Sequence, residues 1–131
     1  TNVLNRRTFA DRAGQQIGCK KASGAGLALL LFDLDHFKTV NDTYGHQAGD
    51  EVLQQFCRLV EGELRRTDLF ARLGGEEFAA VLPATTSDEA LAIAERLKAL
   101  LGASGFQVAG TRISVTASMG LAELSEQTDT L

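Results

Sequence analysis

Arg72-Leu73-Gly74-Gly75-Glu76-Glu77-Phe78 restricts this chain more than any other stretch. Its two glycines lie between a short apolar run, Leu69-Phe70-Ala71, and a second one, Phe78-Ala79-Ala80-Val81-Leu82. Glycine takes positive φ without steric cost, so the pattern predicts two antiparallel strands joined by a tight turn. A turn has no need of two adjacent carboxylates at the start of the returning strand, where like charges repel and strand propensity is poor. Two readings stand side by side. The glutamates are solvated at a bend, or they are oxygen ligands for hard cations, held where missing side chains let a nucleotide approach the backbone.

A second acidic stretch bears on that choice. Leu27-Ala28-Leu29-Leu30-Leu31-Phe32 is a continuous apolar run, too short to span a membrane, and it predicts a strand over Leu27–Asp33 buried on both faces. It runs into Asp33-Leu34-Asp35, and strand alternation puts Asp33 and Asp35 on one face with Phe32 and Leu34 on the other. A carboxylate at the end of a buried strand, beside a hairpin with two more, makes a divalent-metal site.

Around this pair the remaining elements follow. Asn5 caps a first helix carrying Phe9, Ala10, Ala13 and Ile17 that closes near Gly18, and Lys20 to Gly26 reads as a loop. Asp35 to Asp42 forms a short helix stopping before Gly45. A longer one starts between His46 and Asp50, with Val52, Leu53, Phe56, Leu59, Val60 and Leu64 on its buried stripe. Pro83 ends the hairpin. Thr86 with Glu89 forms a capping box for a helix whose apolar face is Leu91, Ile93, Ala94, Leu97, Leu100 and Leu101 and which Gly102 terminates. Of two closing strands the last alternates Ile113, Val115, Ala117, Met119 and Leu121 with small and polar residues. The order predicts an α+β fold close to the ferredoxin-like arrangement, a mainly antiparallel sheet with helices against one face.

At 131 residues there is room for one domain with a sizeable core, and 44% hydrophobic with 23% charged residues excludes a disordered chain. A net charge of −4 without a basic block argues against binding a nucleic-acid backbone, though a nucleotide remains compatible if cations and backbone amides neutralise its phosphates. Cys19 and Cys57 lack metal or redox spacing, and Cys57 falls on the apolar side of a helix. A reducing cytoplasm is the expected setting. No run of membrane-spanning length is present, which leaves open an anchor in a neighbouring domain.

Phe32 to Leu53, FDLDHFKTVNDTYGHQAGDEVL, followed by Arg66 to Phe78, RTDLFARLGGEEF, resembles the GGDEF domain family of diguanylate cyclases in its GGEEF variant. Asn5-Arg6-Arg7 resembles the family's NRR element, and Ser118-Met119-Gly120-Leu121-Ala122 its late strand motif. The resemblance covers nearly the whole chain in the right order. It implies a core shared with the palm of nucleotide cyclases and polymerases, and one GGDEF domain over residues 1–131. Only four residues precede NRR, and the final helix with the AKxxGRN-like motif, whose lysine and arginine hold phosphates in the family, has no counterpart, so a domain lacking its C-terminal helix is expected.

The resemblance also implies a reaction: two GTP condense into cyclic di-GMP across a homodimer, releasing two pyrophosphates, with two Mg²⁺ (or Mn²⁺) per half-site. By motif position Asp33, Glu76 and Glu77 are catalytic. The metal set is Asp33, the carbonyl of Leu34, Glu76 and Glu77, with Glu77 also serving the attacking hydroxyl. Asn41 and Asp50 match the guanine-reading positions, where amide and carboxylate meet donors that adenine lacks; the bland alternative is helix-end residues. Lys38 and the amides of His36, Phe37 and Lys38 cradle phosphate, while Gly74 and Gly75 admit the substrate. His36 and His46 make a poor zinc set, and Asp35 and Asp42 orient local backbone. Arg65-Arg66-Thr67-Asp68 reads RxxD five residues before Gly74, the family's inhibitory product site, to which Arg96 adds. The resemblance further implies an N-terminal sensory or regulatory domain outside the chain. The competing reading is a catalytically inactive module that binds GTP or cyclic di-GMP.

Overall fold

The computed structural model describes residues 4–23 and 26–124. The leader Thr1–Val3, the side chains of Ile17 and Cys19, and everything after Leu124 lie outside the described residues. Helix α1 spans Arg6–Ser23, β1 Leu27–Leu34, α2 Phe37–Tyr44, α3 His46–Glu63, β2 Leu69–Gly74 and β3 Glu77–Pro83. They are followed by α4 over Ser87–Ser104, β4 over Phe106–Val108, β5 over Thr111–Ile113 and β6 over Ala117–Leu124.

Four strands form one sheet in the order β2-β3-β1-β6, with every neighbouring pair antiparallel. Taking β6 as the fourth strand, this is the ferredoxin-like order, so the expected α+β class holds. Strand β1 is central, its backbone hydrogen-bonded on both edges, which keeps its apolar run away from a solvent edge. Alternation sends Ala28, Leu30, Phe32 and Leu34 to the face that carries the main core. There Phe32, Phe56, Phe70 and Phe78 form an aromatic cluster, with centroids 5.0 Å apart for Phe56–Phe78 and 5.6 Å for the stacked Phe70–Phe78 pair. Phe32 meets Phe56 and Phe70 edge-on at 6.1 Å. Such pairs add about 0.5–1.5 kcal/mol each beyond the burial of area.

Several expectations are corrected here. The helices do not all lie on one face: α1 packs Phe9 and Ala13 on the other side, against Leu27, Ala71, Ala79 and Val81. Since α1 covers only the start of that face, β1 is not buried on both sides throughout. Leu31 is 46% exposed and Asp33 is exposed. Helix α1 runs to Ser23 rather than closing near Gly18, because an interior glycine costs a helix only about 1 kcal/mol. Asn5 does cap it, its Oδ1 accepting from the Thr8 amide at 2.8 Å. Helix α2 is Phe37–Tyr44, not Asp35 to Asp42, since Asp35 is held by a strand contact and His36 turns the chain with φ 57°.

At α4 the Thr86–Glu89 capping box forms as expected, but the helix continues past Gly102 to Ser104. Gly105, with φ 58°, is the residue that ends it. Its buried stripe is Ala90, Ala94, Leu97 and Leu101, whereas Leu91 and Leu100 are exposed. The long closing strand is two strands. Ile113 ends β5, which pairs with β4 in a separate ribbon, and residues 114–116 carry the chain across to β6.

Cys57 is buried in the main core, and burial with the nearby Glu61 carboxylate pushes its thiol from 9.0 up to about 11. Because the thiolate is the reacting species, iodoacetamide at pH 8 should modify Cys57 far more slowly in the native protein than in urea. Equal rates, followed by mass spectrometry of the Cys57 peptide, would contradict the burial.

Candidate active site

The two strands that carry acidic ends lie side by side. In the β1–β3 register Asp33 stands directly opposite Glu77, and on its other side Asp33 stands opposite Ser118 of β6. Directly opposed residues of an antiparallel pair have Cβ atoms about 4.5–5.5 Å apart, and like charges so placed are destabilising. Both carboxylates are exposed, and among the described residues neither forms an ion pair with a basic side chain. An oxygen-only pair that repels itself fits a hard cation, which needs several carboxylate and carbonyl oxygens.

The hairpin turn differs from the one expected from Gly74-Gly75. Gly74 ends β2 and pairs with Glu77, leaving Gly75 and Glu76 as the two turn residues. Only Gly75 takes positive φ, at 37°, and its carbonyl accepts from Arg72 Nε at 2.8 Å, which clasps the turn. The two glutamates are therefore not equivalent: Glu77 is strand-borne and faces Asp33, while Glu76 is in the turn. The Glu76 carbonyl accepts from the Leu34 amide at 3.1 Å, tying the turn to the end of β1. Among the described residues no three acidic, histidine or cysteine side chains converge on one point, so the Asp33–Glu77 pair is the assembled part of the expected metal set.

An open depression of about 420 Å³ lies beside this pair. Asp33, Glu77 and Ser118 line its polar end, and Leu31, Leu73 and Gly120 its floor. In the sequence Ser118 belongs only to a strand motif; the register places it beside Asp33. Its hydroxyl donates to Asp35 Oδ1 at 2.7 Å, and Thr116 Oγ1 donates to Asp35 Oδ2 at 2.8 Å. These two bonds hold the Asp35 carboxyl below its ordinary 3.8. Asp35 therefore orients residues 81 and 83 positions away rather than its local backbone.

Helix α2 begins beside the carboxylates. Its N-cap, His36, supplies no side-chain hydrogen bond, so the first-turn amides of α2 have no side-chain cap at the positive end of the helix dipole. Lys38 is exposed on that turn. The Phe37 side chain is buried in the main core, so Phe37 can offer only its backbone.

Asn41 and Asp50 lie on the two helices that meet at the α2–α3 corner. Gly45, with φ 95°, reverses the chain and its amide donates to the Asn41 carbonyl at 2.8 Å. The Asn41 side chain lies against Gly49, the residue before Asp50. Asp50 is exposed and is the fifth residue of α3, beyond the first turn where a carboxylate gains most from the dipole. The bland reading of Asp50 as a helix-start residue is weakened accordingly.

At the opposite end of the β1–β3 ladder from Asp33 and Glu77, Arg65 and Asp68 form a closed fork. Arg65 Nη2 donates to Asp68 Oδ1 at 2.9 Å, to the Pro83 carbonyl at 2.7 Å and to Thr85 Oγ1 at 2.7 Å. The Arg65 amide also donates to Asp68 Oδ2 at 2.6 Å. The Asp68 side chain is 1% exposed and that of Arg65 52%. Arg96 pairs with Glu63 Oε1 at 2.9 Å, at the end of the helix that leads into this loop. A small open pocket of about 220 Å³ adjoins Arg65, Arg66 and Asp68.

Comparison with known proteins identifies the family and the fold. A family profile described as "Diguanylate cyclase, GGDEF domain" matches residues 1–131. Diguanylate cyclase DgcP of Pseudomonas aeruginosa is 39% identical over 121 residues, 92% of this chain and 18% of that protein. The GGDEF domain of PA1120 (YfiN or TpbB) from Pseudomonas aeruginosa superposes with a TM-score of 0.92 at 37% identity, over 98% of this chain and 80% of that one. The GGDEF domain of DgcB from Caulobacter crescentus, solved in complex with c-di-GMP, gives 0.89 at 29% identity over 97% and 76%. The chain spans between 18% and 36% of the length of the curated relatives it matches first. No described helix is long and apolar enough to cross a membrane.

Proposed function

Because this chain belongs to the GGDEF domain family of diguanylate cyclases, we propose that it condenses two GTP molecules into cyclic di-GMP. The observation that carries the reading is the direct opposition of Asp33 and Glu77 at the ends of two paired strands. Each 3′-oxygen attacks the α-phosphorus of the other nucleotide. One P–O bond forms, the bond to the β-phosphate oxygen breaks, and pyrophosphate leaves with the electron pair. Two such events close the ring, and a homodimer supplies the second nucleotide.

Asp33, Glu76, Glu77 and the Leu34 carbonyl would hold two Mg²⁺ (or Mn²⁺) per half-site. When bound, these ions neutralise the triphosphate and acidify the attacking hydroxyl. Glu77, exposed beside the depression, accepts the hydroxyl proton or passes it to water. The uncapped amides at the start of α2 and the Lys38 ammonium bind phosphate oxygens. Asn41 and Asp50 read guanine, the carboxylate accepting from N1–H and the 2-amino group. Gly75 keeps the turn low, so the nucleotide lies against the hairpin.

Product inhibition at RxxD is the second part of the proposal. The half-exposed Arg65 guanidinium offers a face to guanine or phosphate, and the DgcB domain was solved with c-di-GMP. Arg65 has a structural duty as well, since it satisfies Asp68, Pro83 and Thr85. Arg65→Ala should therefore relieve inhibition and also lower stability by about 1–3 kcal/mol, the cost of a buried polar group losing its partner. Inhibition curves with added cyclic di-GMP and urea denaturation check both parts. Full inhibition in the variant would remove Arg65 from the product site.

The family fold alone does not separate this enzyme from a module that binds nucleotide without turnover. Turnover assays with GTP and Mg²⁺, scored by chromatography for cyclic di-GMP, separate them. Binding without product would favour the module.

A further inference from the structure

At the α2–α3 corner one backbone meets one side chain with no space between them. A Cβ on Gly49 would collide with Asn41 Oδ1, and would lie 2.9 Å from Asn41 Cγ and 3.2 Å from Phe37 Cζ. Gly49 is buried inside α3 and is not among the positive-φ glycines, so its backbone does not demand glycine. A glycine in a helix interior costs about 0.5–1 kcal/mol relative to alanine. The helical glycines Gly14 and Gly62 have open space where a Cβ would be, so Gly49 differs from them in what it touches.

We propose that Gly49 is a positioning residue that sets GTP specificity: its missing side chain lets the Asn41 carboxamide lie on α3 beside Asp50. This rests on the assignment of Asn41 and Asp50 to guanine. The torsion that turns a carboxamide has broad preferences, so Asn41 needs walls to hold its donor and acceptor in one orientation. The bare backbone of Gly49 is such a wall, and the buried Phe37 ring lies next to it. An alanine at 49 is accommodated when the Asn41 side chain swings aside and the Phe37 ring gives by a few tenths of an ångström, which costs the fold little. It costs recognition more, because the amide keeps its chemistry and loses its place.

The test compares Gly49→Ala, Asn41→Ala and the double variant for binding of GTP and of adenosine triphosphate, whose base has neither the 6-oxygen nor the N1–H and 2-amino donors of guanine, by calorimetry with parallel thermal melts. Gly49→Ala should weaken GTP binding roughly tenfold to a hundredfold, the scale of one or two misaligned hydrogen bonds to the base. It should also shrink the preference for GTP, melt at or above the wild-type temperature, and add no further loss to Asn41→Ala. Wild-type binding by Gly49→Ala, with Asn41→Ala impaired, would overturn the role of Gly49 and leave the guanine assignment standing. A much lower melting temperature would make Gly49 a packing residue and overturn it as well. Unchanged GTP preference in Asn41→Ala would overturn the guanine assignment itself, and with it the role of Gly49.

Discussion

Glu77→Gln is expected to lower cyclic di-GMP formation by about a hundredfold or more, on the ground that a lost cation ligand costs several kcal/mol of transition-state stabilisation. The same change should leave the protein as stable as before or slightly more stable. Glu77 stands opposite Asp33 in register, and both carboxylates are exposed. The amide fills the same space and removes one of two like charges, so the cation-free chain loses a repulsion rather than a support. The opposite directions of the two effects are what distinguish a functional carboxylate from a structural one. Product quantified by chromatography and thermal melting without added divalent ion check them together. Activity retained, or a large loss of stability, would contradict the role assigned to this pair.

Phe78→Ala is expected to have the largest effect on folding, about 3–5 kcal/mol for a fully buried aromatic. The next residue after Glu77, Phe78 is fully buried and touches both Phe56 of α3 and Phe70 of β2. It thus anchors the acidic hairpin to the helix layer, and a cavity there loosens the Asp33–Glu77 register as well. Domains are commonly stable by only about 5–15 kcal/mol, so the variant should melt at a markedly lower temperature and lose activity with it. Phe78→Leu should recover most of both. Urea unfolding of the three proteins gives the comparison, and a Phe78→Ala loss below that of an ordinary surface change would show that the cluster contributes little.

Much of this arrangement was legible in the sequence where one physical rule acts locally. The apolar run of β1, the three-and-four spacing of α3 and the Thr86–Glu89 box each specify their element without help from elsewhere. Boundaries were less legible where a tertiary contact decides them. Asp35 is drawn from helix to turn by Thr116 and Ser118, which the chain reaches 81 and 83 residues later. The break between β5 and β6 is invisible to alternation, because Val115 stays buried while residues 114–116 leave the strand. The same holds for the site. Asp33, Glu76 and Glu77 stand out as acidic residues at strand ends, and the register then separates the two glutamates into a strand residue and a turn residue. Ser118 and Gly49 carry no such mark. One is a small polar residue in a strand and the other a glycine in a helix, and only the packing of distant elements shows what each faces.

Whether the Asp33–Glu77 pair serves nucleotidyl transfer between two GTP molecules is decided by the product ratio. The full-length protein would be incubated with GTP and Mg²⁺ over a range of protein concentrations, beside Asp33→Asn. Pyrophosphate and cyclic di-GMP would then be quantified. Two pyrophosphates per cyclic di-GMP are expected, with a rate per chain that rises with protein concentration as dimers form, and no product from Asp33→Asn. GTP bound but unchanged at every concentration, or product undiminished in Asp33→Asn, would contradict that role.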